Sequence, residues 1–237
     1  MQFIQSIQSE FPNRTMRLNH LHSDILRYIL THNLQPGDRL PPLTELSASA
    51  GVSVGKLREQ LEVARALGMV TVKPGAGIQV NPFDFAAAIQ PGLLYAVARS
   101  DQHFEAYKAL RNGVATAFWV EAVSRLTPDD IAALRELVAA AWERLNSPKI
   151  GIPHAEHRAF HVAIFRRLDN PFVVGIEEAY WEAYEAVELN RYTDYKYLTR
   201  VWEHHQRMVD CIARGEFEAA REVFVEHTRL LKTRPQA

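Results

Sequence analysis

The sequence lacks the features that mark secreted and membrane proteins. Its single cysteine, Cys211, cannot form a disulfide within the chain, which is typical of proteins of the reducing cytoplasm. No stretch of about 18 apolar residues is present, so we expect no membrane-spanning helix. The N-terminal residues have neither the basic segment nor the apolar core of a signal peptide. A cytoplasmic location is therefore expected.

The chain also lacks a strong net charge, an internal repeat and any low-complexity segment. Its formal net charge is −1 over 237 residues, a length that accommodates one large domain or two modest ones. The charge is uneven, because residues 1–80 contain eight Lys or Arg against six Asp or Glu, and the remainder contains nineteen against twenty-two. A slightly basic N-terminal part is compatible with DNA binding, although this electrostatic signal is weak.

The N-terminal part shows the pattern of a winged helix-turn-helix domain, which we place at residues 1–80. Apolar residues at helical spacing and turn residues between them predict three helices, followed by two short strands around a glycine-containing loop. Ser53 is a suitable N-cap for the third helix. The predicted helices cover about 17–32, 42–50 and 53–67, and the strands cover 69–72 and 78–80.

The remaining residues, 81–237, predict an all-helical domain. No strand pattern follows Asn81-Pro82, and Thr127-Pro128 is a strong helix start. Six or seven helices with mostly short connections predict an antiparallel bundle. One helical stripe comprises Phe104, Tyr107, Leu110, Val114 and Phe118. The fold class is therefore mainly α, with a small wing.

The third predicted helix occupies the recognition position of a helix-turn-helix. Residues at the start of that helix face base edges in the major groove, and a wing can reach the adjacent backbone. Taken singly, the basic residues here are more often solvated surface charges, because surface Lys and Arg are common. The candidate DNA-contacting residues are Ser53, Val54, Lys56 and Arg58 on the helix and Lys73 on the wing.

Four histidines lie on the inner faces of three predicted C-terminal helices. They are His157 and His161 in H-R-A-F-H, His205 in E-H-H-Q-R-M and His227 in F-V-E-H-T. The alternative is a set of ordinary core histidines that hydrogen-bond to one another or to water. Several histidines in one core weaken that alternative, whereas a metal coordinates neutral imidazoles without protonating them. We therefore expect a divalent transition metal at these residues.

The order of the N-terminal motifs resembles that of the GntR family of winged-helix transcription regulators. The resemblance covers about residues 18–80 and rests on P-G-D-R-L-P, G-V-S-V-G-K-L-R-E-Q-L and L-G-M-V-T-V-K-P-G-A-G-I-Q-V. It implies that Arg58 contacts DNA and that Gly77 lets the wing enter the minor groove. Thr44 and Val54 stand where the family commonly has basic residues. The implied partner is a palindromic double-stranded operator bound by a homodimer.

Residues from about 84 to 231 resemble the FadR-type (FCD) ligand-binding domain that follows the winged-helix domain, or head, of such regulators. In metal-binding members the ligands are one Asp and three His, which implies that His161, His205 and His227 are the three histidines. His157 replaces the Asp, and this loss of negative charge favours Zn or Ni over Mn. Arg111 matches a family arginine that often meets an effector carboxylate. The implied effector is a small organic acid.

The leading interpretation is an effector-responsive, metal-containing transcription regulator that is not an enzyme. The first alternative is a metal-dependent hydrolase on a helical bundle. No H-E-x-x-H motif or nucleophile elbow supports it, and Glu156, the nearest carboxylate, is turned away from His161 by helix geometry. The second alternative is a metal-free dimerisation scaffold with a DNA-binding head.

Overall fold

The computed structural model describes residues 20–75, 77–147, 151–187 and 195–230. The chain forms two compact units that divide between Asp84 and Phe85, a few residues after the boundary expected from Asn81-Pro82. Within the described residues, no helix is long and apolar enough to cross a membrane.

The first unit is a winged helix-turn-helix, as predicted. Its described elements are α1 (Asp24–Thr31), α2 (Leu43–Ala50), α3 (Val54–Ala66), β1 (Val70–Lys73) and β2 (Gly77–Val80). A small core of buried residues joins them: Ile25 on α1, Leu46 on α2, Leu57 and Leu61 on α3, and Val70 and Ile78 on the strands. Gly51 ends α2 in the left-handed conformation (φ +66°), which gives the sharp turn before α3.

The first helix begins later than the apolar spacing predicted. Residues 20–23 are not helical, and α1 begins at Asp24; the predicted part at 17–19 lies outside the described residues. Ser23 caps the helix, because its hydroxyl accepts a hydrogen bond from the Leu26 backbone N–H at 3.3 Å. A side-chain cap satisfies an end N–H that the helix itself cannot bond, so it determines the first turn more strongly than periodicity does.

The wing is an antiparallel pair in which Val70 lies opposite Val80 and Lys73 opposite Gly77. Gly77 has φ +77°, a conformation that side-chain-bearing residues rarely adopt. Among the described residues the sheet has two strands, as the sequence pattern predicts. Arg39, outside these strands, lies opposite Gln79 in an isolated antiparallel bridge.

The second unit contains seven helices in the described residues, at the upper end of the prediction. They are α4 (Phe85–Arg99), α5 (Asp101–Ser124), α6 (Pro128–Leu145), α7 (His154–Phe165), α8 (Pro171–Ala186), α9 (Tyr195–Ala213) and α10 (Phe217–Thr228). Thr127 begins α6 with a capping box, in which its hydroxyl accepts from Asp130 N–H and the Asp130 carboxylate accepts from Thr127 N–H.

Aromatic side chains fill the core of this unit. Trp119 of α5 stacks on Phe224 of α10 at 4.4 Å between ring centroids and meets Phe165 of α7 edge-on at 6.2 Å. The buried face of α5 differs from the predicted stripe, because Leu110 is 54 % exposed and its neighbour Arg111 is buried. Tertiary pairing overrides hydrophobicity here, since Arg111 meets a buried carboxylate of another helix.

Candidate metal centre and effector cleft

Four histidine side chains from three helices converge in the second unit. His157 and His161 lie on α7, His205 on α9 and His227 on α10, and one nitrogen from each lies within 4.8 Å of the others. His161, His205 and His227 are buried, and His157 is partly exposed. The structure thus brings together the four histidines that the sequence singled out.

Local geometry explains this convergence. His157 and His161 are one turn apart on α7, so their rings lie on one face with centroids 5.0 Å apart. A tight turn at Gly215 (φ +75°) joins α9 to α10, and the two helices pack against each other. This places the ring of His205 within 4.5 Å of that of His227.

The hydrogen bonds of His205 define which of its nitrogens is free for a ligand. Its Nδ1 lies 2.8 Å from the Val201 carbonyl oxygen, an acceptor, so Nδ1 carries the proton. The lone pair therefore remains on Nε2, which lies 3.1 Å from Nε2 of His161. A carbonyl that orients a histidine in this way is the usual outer-shell partner of a metal ligand.

The cluster leaves several polar atoms unsatisfied. Nε2 of His157 and Nδ1 of His161 and of His227 are buried without a hydrogen-bond partner. Burial lowers the pKa of all four imidazoles, that of His205 to about 3, and the other three are further lowered by neighbouring charges that include Arg111. The four rings are thus held neutral, the state in which imidazole binds metals.

Aromatic side chains surround the histidines. Trp181 of α8 meets the ring of His157 edge-on at 4.7 Å, Trp202 lies 4.6 Å from His205, and Phe160 lies 4.5 Å from His205 on another side. These contacts restrict the orientations of the imidazoles. The aromatic rings thus hold the four histidines in place.

A small cleft adjoins the histidine cluster. Its lining comes from α5, α7, α8, α9 and α10: Lys108, Arg111, Asn112, His157, His161, Tyr180, Trp181, Tyr197, His227 and Thr228. The cavity volume is about 20 Å³, which is room for about one water molecule, so an organic ligand requires the lining side chains to move. Two cationic side chains lie on the α5 wall, and each is ion-paired with a carboxylate, Lys108 with Glu105 and Arg111 with Glu177.

Arg111 is held in one orientation by three kinds of contact. Glu177 Oε2 of α8 lies 2.7 Å from both Nε and Nη2 of Arg111, and Nε donates a hydrogen bond to it. Nη1 donates to Asn112 Oδ1 at 3.1 Å. The guanidinium lies over the ring of Tyr180 at 4.8 Å and near that of Phe224 at 5.5 Å. Nη2 is buried without a hydrogen-bond partner.

Glu177 is the site residue that sequence reasoning missed. Its side chain is 1 % exposed, and burial raises the pKa of its carboxyl while the Arg111 charge opposes this rise. The only signal in the sequence was a glutamate three and four residues before Tyr180 and Trp181, on the apolar face of α8. Glu156, by contrast, is held by Arg144 Nε at 2.6 Å, away from a role as a general base.

The candidate DNA-contacting residues have diverse positions in the head. Thr44, Arg58 and Lys73 are exposed. The Ser53 hydroxyl caps α3 by accepting from Lys56 N–H at 3.3 Å, so part of its hydrogen-bonding capacity is already used. The Lys56 ammonium lies 3.4 Å from Asp24 Oδ2.

A winged helix-turn-helix unit followed by a helical unit with a buried histidine cluster defines a class of DNA-binding transcription regulators. The chain belongs to the gntR family of bacterial regulatory proteins, with an FCD domain. The family model matches residues 19–80, and the FCD domain model matches residues 105–230, which is more than half of the chain.

Relatives with assigned names are transcription regulators and not enzymes. The HTH-type transcriptional regulator LutR of Bacillus subtilis is 25 % identical over 82 % of this chain and 90 % of its own length. The putative L-lactate dehydrogenase operon regulatory protein of Escherichia coli is 24 % identical over 92 % and 86 %. A GntR structure from Streptococcus agalactiae has a TM-score of 0.65 at 16 % identity and covers 87 % of this chain and 94 % of its own, which supports the fold.

Proposed function

We propose that this chain is an effector-responsive regulator whose helical domain binds one divalent metal ion and a small organic acid. The metal ligands are His157, His161, His205 and His227. The observation that carries the proposal is the convergence of four neutral imidazoles, three of them buried, with the donor nitrogen of His205 selected by the Val201 carbonyl.

One pair of donor nitrogens has the spacing of two ligands of one metal ion. Two nitrogens that are each about 2.1 Å from one ion lie roughly 3.0–3.4 Å apart at angles near 90–109°. The Nε2 atoms of His161 and His205 are 3.1 Å apart, within this range. A shared ion would also give a partner to Nε2 of His157, which is buried and has none.

The donor set favours zinc or nickel. Four imidazoles provide no negative charge, and borderline ions accept neutral nitrogen ligands more readily than manganese does. The bound ion would act as a Lewis acid that anchors an oxygen of an anionic ligand. Its positive charge remains uncompensated by the ligands, so a carboxylate is favoured next to it.

Arg111 is the proposed second anchor of the acid. Glu177 and Asn112 occupy part of its guanidinium, and Nη2 keeps an unused hydrogen-bonding capacity beside the cleft. A guanidinium whose orientation is already fixed loses little entropy when it binds a carboxylate.

The proposed DNA target is a palindrome read by a homodimer. One head contacts only a few base pairs, and two-fold symmetry doubles both the contact and its specificity. The proposed contacts are Thr44, Ser53, Val54, Lys56 and Arg58 from the helix-turn-helix, and Lys73 and Gly77 from the wing.

The test begins with protein purified without a histidine tag. Elemental analysis should find about one equivalent of zinc or nickel in the wild type and far less in the His205→Ala/His227→Ala variant. Calorimetry with L-lactate is the first effector probe, because one relative is named for an L-lactate dehydrogenase operon. Sub-stoichiometric metal in both proteins would leave a metal-free cleft as the better account.

A further inference from the structure

Lys56, at the start of the recognition helix, forms an ion pair with a carboxylate of the same domain. Its ammonium lies 3.4 Å from Oδ2 of Asp24. Asp24 is the N-terminal residue of α1. Gln60, one turn along α3, donates to the same carboxylate oxygen at 2.9 Å and accepts from Asp24 N–H at 2.7 Å. Lys56 thus belongs to the junction between α1 and α3, and its charge is partly offset there.

Arg39 lies in a short segment beside β2 of the wing. Three backbone hydrogen bonds attach this segment to β2: Gly37 N–H donates to Val80 O, Val80 N–H to Asp38 O, and Leu40 N–H to Ile78 O, all at 2.8–2.9 Å. Arg39 is therefore held opposite Gln79 by a hydrogen-bonded backbone and is not part of a loose loop.

The alternation of side chains places Arg39 on the outer face of the sheet. Leu40, Ile78 and Val80 are buried in the core of the head. Because successive residues of a strand point to opposite faces, Arg39 and Gln79 project away from that core. Thr71 lies opposite Gln79 on β1. Lys73, two residues further along β1, shares this outer face.

The outer face of the wing carries positive charge that no described carboxylate neutralises. Among the described residues, no Asp or Glu makes an ion pair with Arg39, Lys73 or Arg58, whereas Arg65 pairs with Glu62 at 2.5 Å on the far end of α3. Both Arg39 and Lys73 are exposed. The charge of a cation in an ion pair is partly offset by its partner, so unpaired cations contribute more to the attraction of a polyanion.

We propose that Arg39 is a DNA-phosphate contact and that it forms, with Lys73, a basic strip along the outer face of the wing. The strip supplies sequence-independent affinity and compensates for the positions, such as Val54, at which the recognition helix has no cation. The proposal rests on the DNA-binding function of the family and is independent of the metal and the effector.

The experiment measures DNA binding against salt concentration for matched variants. The wild type first selects a duplex from a random pool, and fluorescence anisotropy then follows its binding from 50 to 200 mM KCl. Arg39→Gln should weaken binding about five- to tenfold near 0.1 M KCl and reduce the slope of log K against log salt by about 1 for each protomer bound. The ratio of affinities for the selected and a shuffled duplex should remain unchanged, since phosphates carry no sequence information.

Three further variants make the result specific. Arg65→Gln, which removes an exposed but paired cation, should retain the wild-type slope. Lys73→Gln should lower the slope as Arg39→Gln does, and the double variant should lower it by about twice as much. Arg39→Lys should restore most of the slope because it restores the charge. Thermal melting confirms that each variant is folded.

Two results would overturn the proposal while the DNA-binding function stands. One is an Arg39→Gln protein with wild-type affinity and slope. The other is a loss of preference for the selected duplex at unchanged slope, which would make Arg39 a base contact. A wild type that selects no duplex at all would instead overturn DNA binding itself, and the proposal with it.

Discussion

Arg111 on α5 and Glu177 on α8 form a fully buried ion pair beside the histidine cluster. One oxygen of Glu177 lies 2.7 Å from both Nε and Nη2 of Arg111, and its other oxygen is buried without a hydrogen-bond partner. The pair cancels the charge of the arginine and fixes the plane of its guanidinium. The cleft thereby gains an oriented donor without a buried net charge, which would be costly.

The first prediction concerns this pair. Glu177→Gln leaves Arg111 as an uncompensated buried charge, so the free energy of unfolding should fall by about 3 kcal/mol. Urea denaturation measures the change. Glu182→Gln, on the same helix but in a partly exposed pair with Arg158, is the control and should cost less than about 1 kcal/mol. Equal effects of the two substitutions would show that burial of the Arg111 pair does not matter.

The second prediction concerns the metal. His205→Ala should abolish stoichiometric metal, whereas His204→Ala, one residue away and hydrogen-bonded to Arg200 O outside the cluster, should retain it. A chelator should lower the melting temperature of the wild type and of His204→Ala, because an ion that binds only the folded state stabilises it by mass action. His205→Ala should not respond to the chelator. A chelator-insensitive wild type would contradict the proposed site.

The third prediction is the pH dependence of the metal-free protein. Burial lowers the pKa of His205 from 6.5 to about 3, so below pH 6.5 the unfolded chain binds a proton that the folded chain does not. Stability should therefore be complete above pH 6.5 and fall by about 1.4 kcal/mol for each pH unit below it, per histidine of this kind. Urea titrations of chelated protein between pH 7 and 5 measure the slope. His205→Gln should make the slope of stability against pH shallower. An unchanged slope would show that other groups cause the pH dependence.

The fourth prediction concerns the recognition helix. Arg58 is exposed near the start of α3, where it can reach base edges, so Arg58→Ala should cost about 1–3 kcal/mol of discrimination between the selected and shuffled duplexes. Lys73→Ala should weaken both duplexes equally. If Arg58→Ala binds the selected duplex as tightly as the wild type, the assignment of the recognition helix is wrong.

The fifth prediction compares two glycines. Gly77 has φ +77°, and a β-carbon added there would meet no atom within 4 Å, so Gly77→Ala should destabilise by about 1 kcal/mol through backbone strain alone. Gly113 lies in the middle of α5, equally free of steric contact, and Gly113→Ala should stabilise by about 0.5–1 kcal/mol because alanine favours helices. Thermal melting measures whether each substitution raises or lowers the stability. A stabilised Gly77→Ala protein would contradict the wing conformation.

Much of the architecture could be predicted from local sequence because local chemistry produces it. Thr127 and Pro128 define the start of α6 through a cap and a pre-set φ angle, and Gly51 ends α2 with a positive φ angle. The start of α1 was predicted too early, since apolar spacing continued upstream of Ser23. The isolated bridge between Arg39 and Gln79 was not predicted, because its two residues are far apart in the chain.

For the candidate site, the sequence by itself determined which histidines face the core, because helical periodicity places His157 and His161 on one face and His205 and His227 on apolar stripes. Only the tertiary structure decided that their nitrogens meet within 4.8 Å, that Arg111 is paired with Glu177, and that Lys56 is paired with Asp24. Periodicity specifies the direction of a side chain relative to its own helix. The partner across the core depends on how helices pack, and that packing is the joint result of many residues that are distant in the chain.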